Sequence, residues 1–465
     1  MPRIYFDTNV FSNLRKAEQL KYQVLLKLID EHKNRLSFYF SIAHIRDKRK
    51  DLSDMKYLDF EFMECYVGDN YIAYDPIIKK TSFYLASPRM VFDGDNPNEF
   101  EELLNFFTPS EDPEIAGEQY LYRSIPAISL DADHGPPGNI PEDQMKMLSA
   151  FLPKDKPEAT LLDQMKAATA FSQNLHLNGG LYKELRAMVD QGLNNGKITI
   201  NEDFNEAFKN TPFQKTYLEY IRDTMYHSDK SKIPDYDFFV LAYNMLDVLG
   251  ISKDKITKKN TFGNVQNDSF HAYFGSYCDY FITDDNSTLE KSRAMFKLFD
   301  KKTKVMSVAE FNQHYSEIYG ESADDLDSFF DKLKYDIEFG ERGPAETLND
   351  VCIFRLVANC VYLDFFDAVL QINYPERTEF VLFRPIVNSL AEPSLSEKTQ
   401  LIKRAIDLFG ADQEGKLTLD YHNTTEYTDE LFTRKWVLGS IGVELKYHSL
   451  VEHKYTLTIA LKKNN

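Results

Sequence analysis

The chain has 465 residues, of which 43% are hydrophobic, with 28 tyrosines, 35 phenylalanines and a formal net charge of −19. So much apolar and aromatic material excludes an extended disordered chain and predicts about two or three packed domains. The acidic balance weighs against indiscriminate nucleic-acid binding, which needs Lys and Arg to neutralise phosphates. Local basic tracks are still on offer at Arg46-Asp47-Lys48-Arg49-Lys50, at 253–259 and at Lys301-Lys302-Thr303-Lys304. Cys65, Cys278, Cys352 and Cys360 form no CxxC pair and no zinc spacing. Met1-Pro2-Arg3 leads straight into a strand-like segment, and no apolar run is long enough to span a bilayer. The expectation is a reduced, cytoplasmic protein with no membrane partner.

Ile4-Tyr5-Phe6-Asp7 reads as a short buried strand, followed by a polar turn. An amphipathic helix is predicted near 17–33, with Leu20, Val24, Leu25, Leu28 and Ile29 at helical spacing. Leu36-Ser37-Phe38-Tyr39-Phe40 reads as a second strand, and Ser41 as the cap of the next helix. That helix sets Ser41, His44 and Asp47 three residues apart on one face. Strand, helix, strand, helix predicts an α/β fold with a parallel sheet. Residues 61–233 read as a mostly helical insertion, with helices near 98–107, 143–151, 159–174, 180–192 and 213–227 and an exposed loop at 131–143.

The α/β pattern resumes over 234–315. A helix starts with Asp235 as its cap and stops at Gly250. Another, near 264–277, carries Asp268 near its start. A strand at 279–283 precedes a helix opened by the capping box Ser287-Thr288-Leu289-Glu290. A strand at 304–307 and a short helix from Ala309 come next. Residues 323–465 read as a separate α+β domain, with helices near 324–338, 346–360 and 395–409. Its strands are expected at 379–383, 416–421, 436–448 and 455–462, and it shows no catalytic constellation.

The chemistry lies in the acids. An Asp at the carboxyl end of a parallel strand stands where ligands bind in open α/β sheets. Asp7 is such a residue, and Asp284 and Asp285, after Phe281-Ile282-Thr283, are two more. Asp47 and Asp268 could point into the same crevice from their helices. Carboxylates gathered in this way repel one another unless a divalent cation sits among them. Oxygen donors of this kind suit Mg2+ or Mn2+ rather than zinc. Each piece alone has a plainer reading: Asp7-Thr8-Asn9 as a turn, Asp47 as a solvated charge, Asp268 at a helix start, Asp284-Asp285 as a turn and cap. Their order points to a metal site.

In these stretches the sequence resembles the PIN-domain nucleases. The likeness rests on Ile4-Tyr5-Phe6-Asp7-Thr8-Asn9, on Ser41-Ile42-Ala43-His44-Ile45-Arg46-Asp47, on Asn267-Asp268 and on Asp279-Tyr280-Phe281-Ile282-Thr283-Asp284-Asp285. It covers residues 1–60 and 234–315. It implies a PIN-like Rossmannoid domain with a central parallel sheet, interrupted by the helical insertion. It also implies that Asp7, Asp47, Asp268 and Asp285 are catalytic and hold one or two Mg2+ or Mn2+ ions, with Asp284 as the fallback for Asp285. Asn9 and Thr283 would orient the ligands. His44 and His271, each three residues from a proposed ligand, would contact phosphate or orient a carboxylate, unless they serve in helix packing. Two features depart from the family: the long segment between the second and third acids, and an Asp at position 47 where Glu is usual.

The implied activity is endonucleolytic hydrolysis, in which an ion-activated water attacks phosphorus in line and leaves a 5′-phosphate and a 3′-hydroxyl. RNA is the expected substrate, in a toxin-like or antiviral, phage-defence role. A DNA-directed nuclease and a non-catalytic PIN-like interaction module are the alternatives. A haloacid-dehalogenase-like phosphatase is disfavoured, because it needs a second Asp where Asn9 stands. The negative charge suggests a basic protein inhibitor or regulatory partner, and the C-terminal domain could either mediate self-association as a homo-oligomer or sense a ligand, with nothing in its residues deciding between them.

Overall fold

Ile4-Tyr5-Phe6 is apolar without a break, the pattern of a strand covered on both faces. It forms β1 (Arg3–Phe6), buried at every position, as is β2 (Ser37–Ser41). The structure is a computed structural model. It describes residues 2–32, 35–95, 129–130, 159–193, 197–201, 203–225, 229–257, 261–319, 325–348, 350–384, 395–417, 431–448 and 455–462. The helices expected at 98–107 and 143–151 and the loop at 131–143 lie outside them. The chain divides into two units, one of residues 1–88 and 271–465, the other of residues 89–270.

In the first unit, α1 (Thr8–Lys16) and α2 (Leu20–His32) connect β1 to β2, which pair in parallel. α2 buries Tyr22, Leu25, Leu28 and Ile29, while Leu20 and Val24, expected on that stripe, face solvent. Tyr22 enters the buried face because its hydroxyl meets Asn13 and Asp284. α3 (Ile42–Arg49) is capped by Ser41, whose hydroxyl accepts the Ala43 N–H at 3.2 Å. His44 stands where a capping box usually has Glu, its Nδ1 accepting the Ser41 N–H at 3.2 Å.

After α4 (Met55–Val67) the chain returns to the sheet. β3 (Asn70–Asp75) pairs in parallel with β2, and β4 (Lys80–Leu85) pairs antiparallel with β3. This hairpin corrects the reading of 61–233 as a helical insertion: residues 70–85 extend the sheet, and the first unit runs on to Pro88. The turn was in plain sight at Asp75-Pro76, where the Asp75 carboxylate accepts the N–H groups of Ile77 and Ile78.

The second unit holds α5 (Leu161–Leu177), α6 (Gly179–Leu193), α7 (Tyr217–Thr224) and α8 (Asp235–Val248). Asp247 of α8 is fully buried and accepts from Tyr182 and Arg186 of α6. Asp235 does not cap α8. Pro234 holds the cap position without a side-chain bond, and Asp235 and Asp237 sit in the first turn, at the positive end of the helix dipole. Gly250, at φ +73°, stops the helix as expected.

α9 (Phe262–Gly275) crosses from residue 270 to 271, the boundary between the units. β5 (Tyr280–Ile282) then pairs in parallel with β1, α10 (Asn286–Leu298) comes next, and β6 (Lys304–Met306) pairs in parallel with β5 before α11 (Val308–Tyr319). Asp285 caps α10, accepting the Thr288 N–H at 2.8 Å, so the helix begins two residues before the box expected at Ser287. The finished sheet has the order β4-β3-β2-β1-β5-β6. The chain builds outward from β1 through β2 and β3, then resumes on the other side at β5. The order therefore reverses between β1 and β5, the position where open parallel sheets leave a crevice at their carboxyl ends.

Residues 325–462 add α12 (Leu326–Phe339), β7 (Glu346–Leu348), β8 (Val351–Tyr362), β9 (Phe366–Asn373), β10 (Arg377–Phe383), α13 (Leu395–Phe409), β11 (Leu431–Leu438), β12 (Ile441–His448) and β13 (Tyr455–Lys462). The strands make an antiparallel sheet in the order β11-β12-β13-β10-β9-β8-β7. The helix expected at 346–360 is strand. Phe354, Leu356, Ala358, Cys360 and Tyr362 alternate into one core with Trp436, and that period of two is a strand's. The run at 436–448 is two strands around a tight turn, with Gly439 at φ +63°. Residues 416–417 carry no strand, and 418–421 lie outside the described residues.

This antiparallel sheet belongs to the same unit as the parallel one. Buried ion pairs join them where the parallel strands begin. Arg3, opening β1, grips Glu397 at 2.7 and 2.9 Å, and Arg384 bonds Asp279, just before β5. Arg35 and Arg404 both meet Asp364. Among the described residues no helix is long and apolar enough to cross a membrane.

Candidate metal centre

Asp7 follows β1 directly and caps α1, so the sheet fixes its backbone: its N–H donates to the Ile282 carbonyl at 2.9 Å. Thr283, one residue beyond β5 and fully buried, donates its hydroxyl to Asp7 Oδ2 at 2.9 Å. That bond ties the two strand ends together at the point of order reversal. It leaves Oδ1, which receives only a long 3.4 Å approach from the Asn9 N–H, turned toward His271 Nε2 at 3.9 Å.

His271 reaches this point from α9. Its Nε2 lies 3.1 Å from Asp47 Oδ2 and 3.2 Å from Thr8 Oγ1. Asp47 arrives from α3, one helical turn after His44. Among the described residues, Asp7, Asp47 and His271 thus come together with their ligand atoms within 4.8 Å of one another.

Behind them lies a polar core. Tyr5 Oη is 3.0 Å from His271 Nδ1 and 2.6 Å from Ser41 Oγ. His44 Nε2–H donates to the Phe6 carbonyl at 2.7 Å. Burial, reinforced by the neighbouring His271, lowers the His44 pKa to about 3, so it stays neutral and its role is to fix α3 on β1. Burial also keeps Tyr5 a phenol, its pKa raised well above the ordinary value.

The two acids differ. Burial raises the Asp7 pKa; His271 pulls it down, the Asp47 charge pushes it up, and the Thr283 hydroxyl lowers it. Among the described residues no Lys or Arg pairs with Asp7. Burial opposes the Asp47 charge too, but the hydrogen bond and charge of His271, with Lys50 nearby, hold this carboxyl well below the usual range. A buried acid without a Lys or Arg partner, facing a second acid and an imidazole, is a donor set that could hold a cation.

The other expected residues are placed differently. Asp285 uses its carboxylate to cap α10. Asp284 accepts from Tyr22 at 2.6 Å and from the Val308 N–H at 3.0 Å and pairs with Lys21 at 2.8 Å, so it braces α2 and α11. Asp268 lies half-buried in the 89–270 unit, three residues before His271, and is not one of the three clustered groups. Asn9 is exposed, and its contribution to Asp7 is its backbone N–H. Tyr5 and Thr8 escaped the sequence reading. Their signal is positional, since Arg3, Tyr5 and Asp7 recur at every second residue of β1 and Thr8 opens α1.

Basic side chains flank the cluster on α3. Arg46 is exposed, Lys50, at the C-cap of α3, is exposed and pairs with Asp47 at 3.4 Å, and Lys48 is engaged by Ser12 and Asp59. Comparison of the chain with protein-family models, with curated proteins and with solved structures finds no match.

Proposed function

We propose that this protein is a metal-dependent phosphodiesterase acting on nucleic acid, RNA before DNA. The observation that carries the reading is the cluster of Asp7, Asp47 and His271 at the strand-order reversal, where a buried acid has no lysine or arginine to balance it. A divalent cation there would supply Lewis-acid activation of water and neutralise charge at a phosphoryl group. Asp7, Asp47 and His271 would hold it, Thr283 would fix the rotation of Asp7, and Thr8 would steady the open side of His271. Arg46 and Lys50 would meet the phosphates on either side of the scissile bond. An acidic chain that cleaves an acidic polymer needs its basic groups beside the site, and α3 supplies them there. The preference for RNA comes from the resemblance of these motifs to the PIN nucleases, with Mg2+ or Mn2+ as the ion that the two carboxylates suggest.

The test is cleavage of end-labelled single-stranded RNA and DNA by the full chain with Mg2+, Mn2+ or EDTA. Cutting of RNA that needs the ion and is lost in Asp7→Asn is the expected result. Nucleic-acid binding without cleavage, unchanged in Asp7→Asn, would overturn catalysis in favour of an interaction module.

A further inference from the structure

The donor set at this centre is not the all-carboxylate one that the sequence leads one to expect. Two of its ligand atoms are carboxylate oxygens and the third is an imidazole nitrogen. We infer that the centre is built for a first-row transition-metal ion held through His271 Nε2, with Mg2+ the weaker occupant. The inference rests on the metal-centre reading above and adds the class of ion.

The geometry of the histidine carries it. His271 is 1% exposed, so its ring is oriented by its neighbours and not by water. Nδ1 sits 3.0 Å from Tyr5 Oη, and Tyr5 Oη sits 2.6 Å from Ser41 Oγ. Nδ1–H can donate to Tyr5 Oη while the Tyr5 O–H donates to Ser41 Oγ. Nδ1–H and the Tyr5 O–H then each have an acceptor, and Nε2 keeps its lone pair beside Asp47 Oδ2 at 3.1 Å, Thr8 Oγ1 at 3.2 Å and Asp7 Oδ1 at 3.9 Å. A ligating histidine is normally anchored in this way through its other ring nitrogen. Mg2+ prefers oxygen donors and gives up its water reluctantly, whereas imidazole suits the transition ions. The competing role for His271 is to donate Nε2–H to Asp47 Oδ2 as a structural hydrogen bond, in which case no lone pair reaches the ion.

Metal binding to the full chain, measured without nucleic acid, separates these roles. Calorimetric titration with MnCl2, and with MgCl2 in competition, gives the affinity ratio. Electron spin-echo modulation of bound Mn2+ reports directly on a coordinated nitrogen. The expected results are a preference for Mn2+ and a 14N modulation. In His271→Asp the ratio should move toward Mg2+ and the modulation vanish. Tyr5→Phe, which removes the anchor of His271 together with its bond to Ser41, should weaken Mn2+ by about 10- to 100-fold. Mn2+ bound to the wild-type chain without 14N modulation overturns the transition-metal inference and leaves the metal centre standing. Failure of the wild-type chain to bind either ion overturns both. The modulation is read on the unaltered protein, so the test holds even if a variant folds poorly.

Discussion

β1 meets buried acids at both of its ends, and the two ends answer them differently. Where the parallel strands begin, Glu397 and Asp279 face Arg3 and Arg384, two acids against two guanidinium groups. Where they end, Asp47 pairs with Lys50 at 3.4 Å, and Asp7, with no Lys or Arg paired to it among the described residues, faces one imidazole. Burial is nearly complete for the key acid at each end, with Glu397 at 0% and Asp7 at 4% exposed. The pKa values nevertheless move in opposite directions. The charges of Arg3 and Arg384 outweigh burial and hold Glu397 down at about 2, whereas burial wins at Asp7 and raises it. Depth of burial therefore does not tell the two ends apart. The balance of buried charge does: Glu397 is matched by guanidinium groups, and Asp7 is the acid that a cation would satisfy.

The sharpest way to break this comparison is to neutralise one acid at each end. Asp7→Asn should abolish ion binding by calorimetry, a larger loss than the 10- to 100-fold typical of a partner one shell further out. The metal-free variant should melt no lower than wild type, because the substitution removes an unbalanced buried charge. A large drop in melting temperature would place Asp7 with the structural pairs instead.

Arg3→Ala should do the reverse. It strands Glu397 and should cost about 3–5 kcal/mol in urea unfolding, as broken buried pairs do, with metal affinity preserved in the folded fraction. Linkage gives a pH version of the same contrast. The folded-state pKa of Glu397 is depressed from 4.5 to about 2, so its stabilisation is present above the unfolded value and is lost as pH falls through that window. The loss should approach about 3 kcal/mol. In Glu397→Gln the acid limb of the stability profile between these values should flatten; an unchanged limb would assign acid unfolding to other groups. The smallest effect is expected from Thr283→Val, which frees one oxygen of Asp7. It should weaken metal binding by about tenfold with little change in stability.

Much of the fold was legible because some strands carry their burial on the surface of the sequence. β1, β2 and β5 are built on the short unbroken apolar runs at 4–6, 38–40 and 280–282, the pattern of strands covered on both faces. Asp7 was legible for the same reason, as the polar residue ending such a run, and Asp47 through its spacing from Ser41 and His44. β8 was not, because its dense apolar residues satisfy helical spacing as readily as alternation until a partner strand selects one. The β3–β4 hairpin was hidden by the helical character of the longer segment on its C-terminal side.

The sequence by itself determined which residues end the central strands, which helices come after them and that acids gather along this order. Local rules suffice for that, since a strand's covering and a helix's cap are written within a few residues. Only the tertiary structure decided which acids meet. Asp284 went to an ion pair with Lys21, 263 positions away. His271, one turn beyond Asp268, became the third group of the cluster because its place along α9 brings it level with the end of β1. Arg3 found Glu397 across 394 positions. Pairings of this kind depend on how far along its axis each element is docked, and no local pattern encodes that distance.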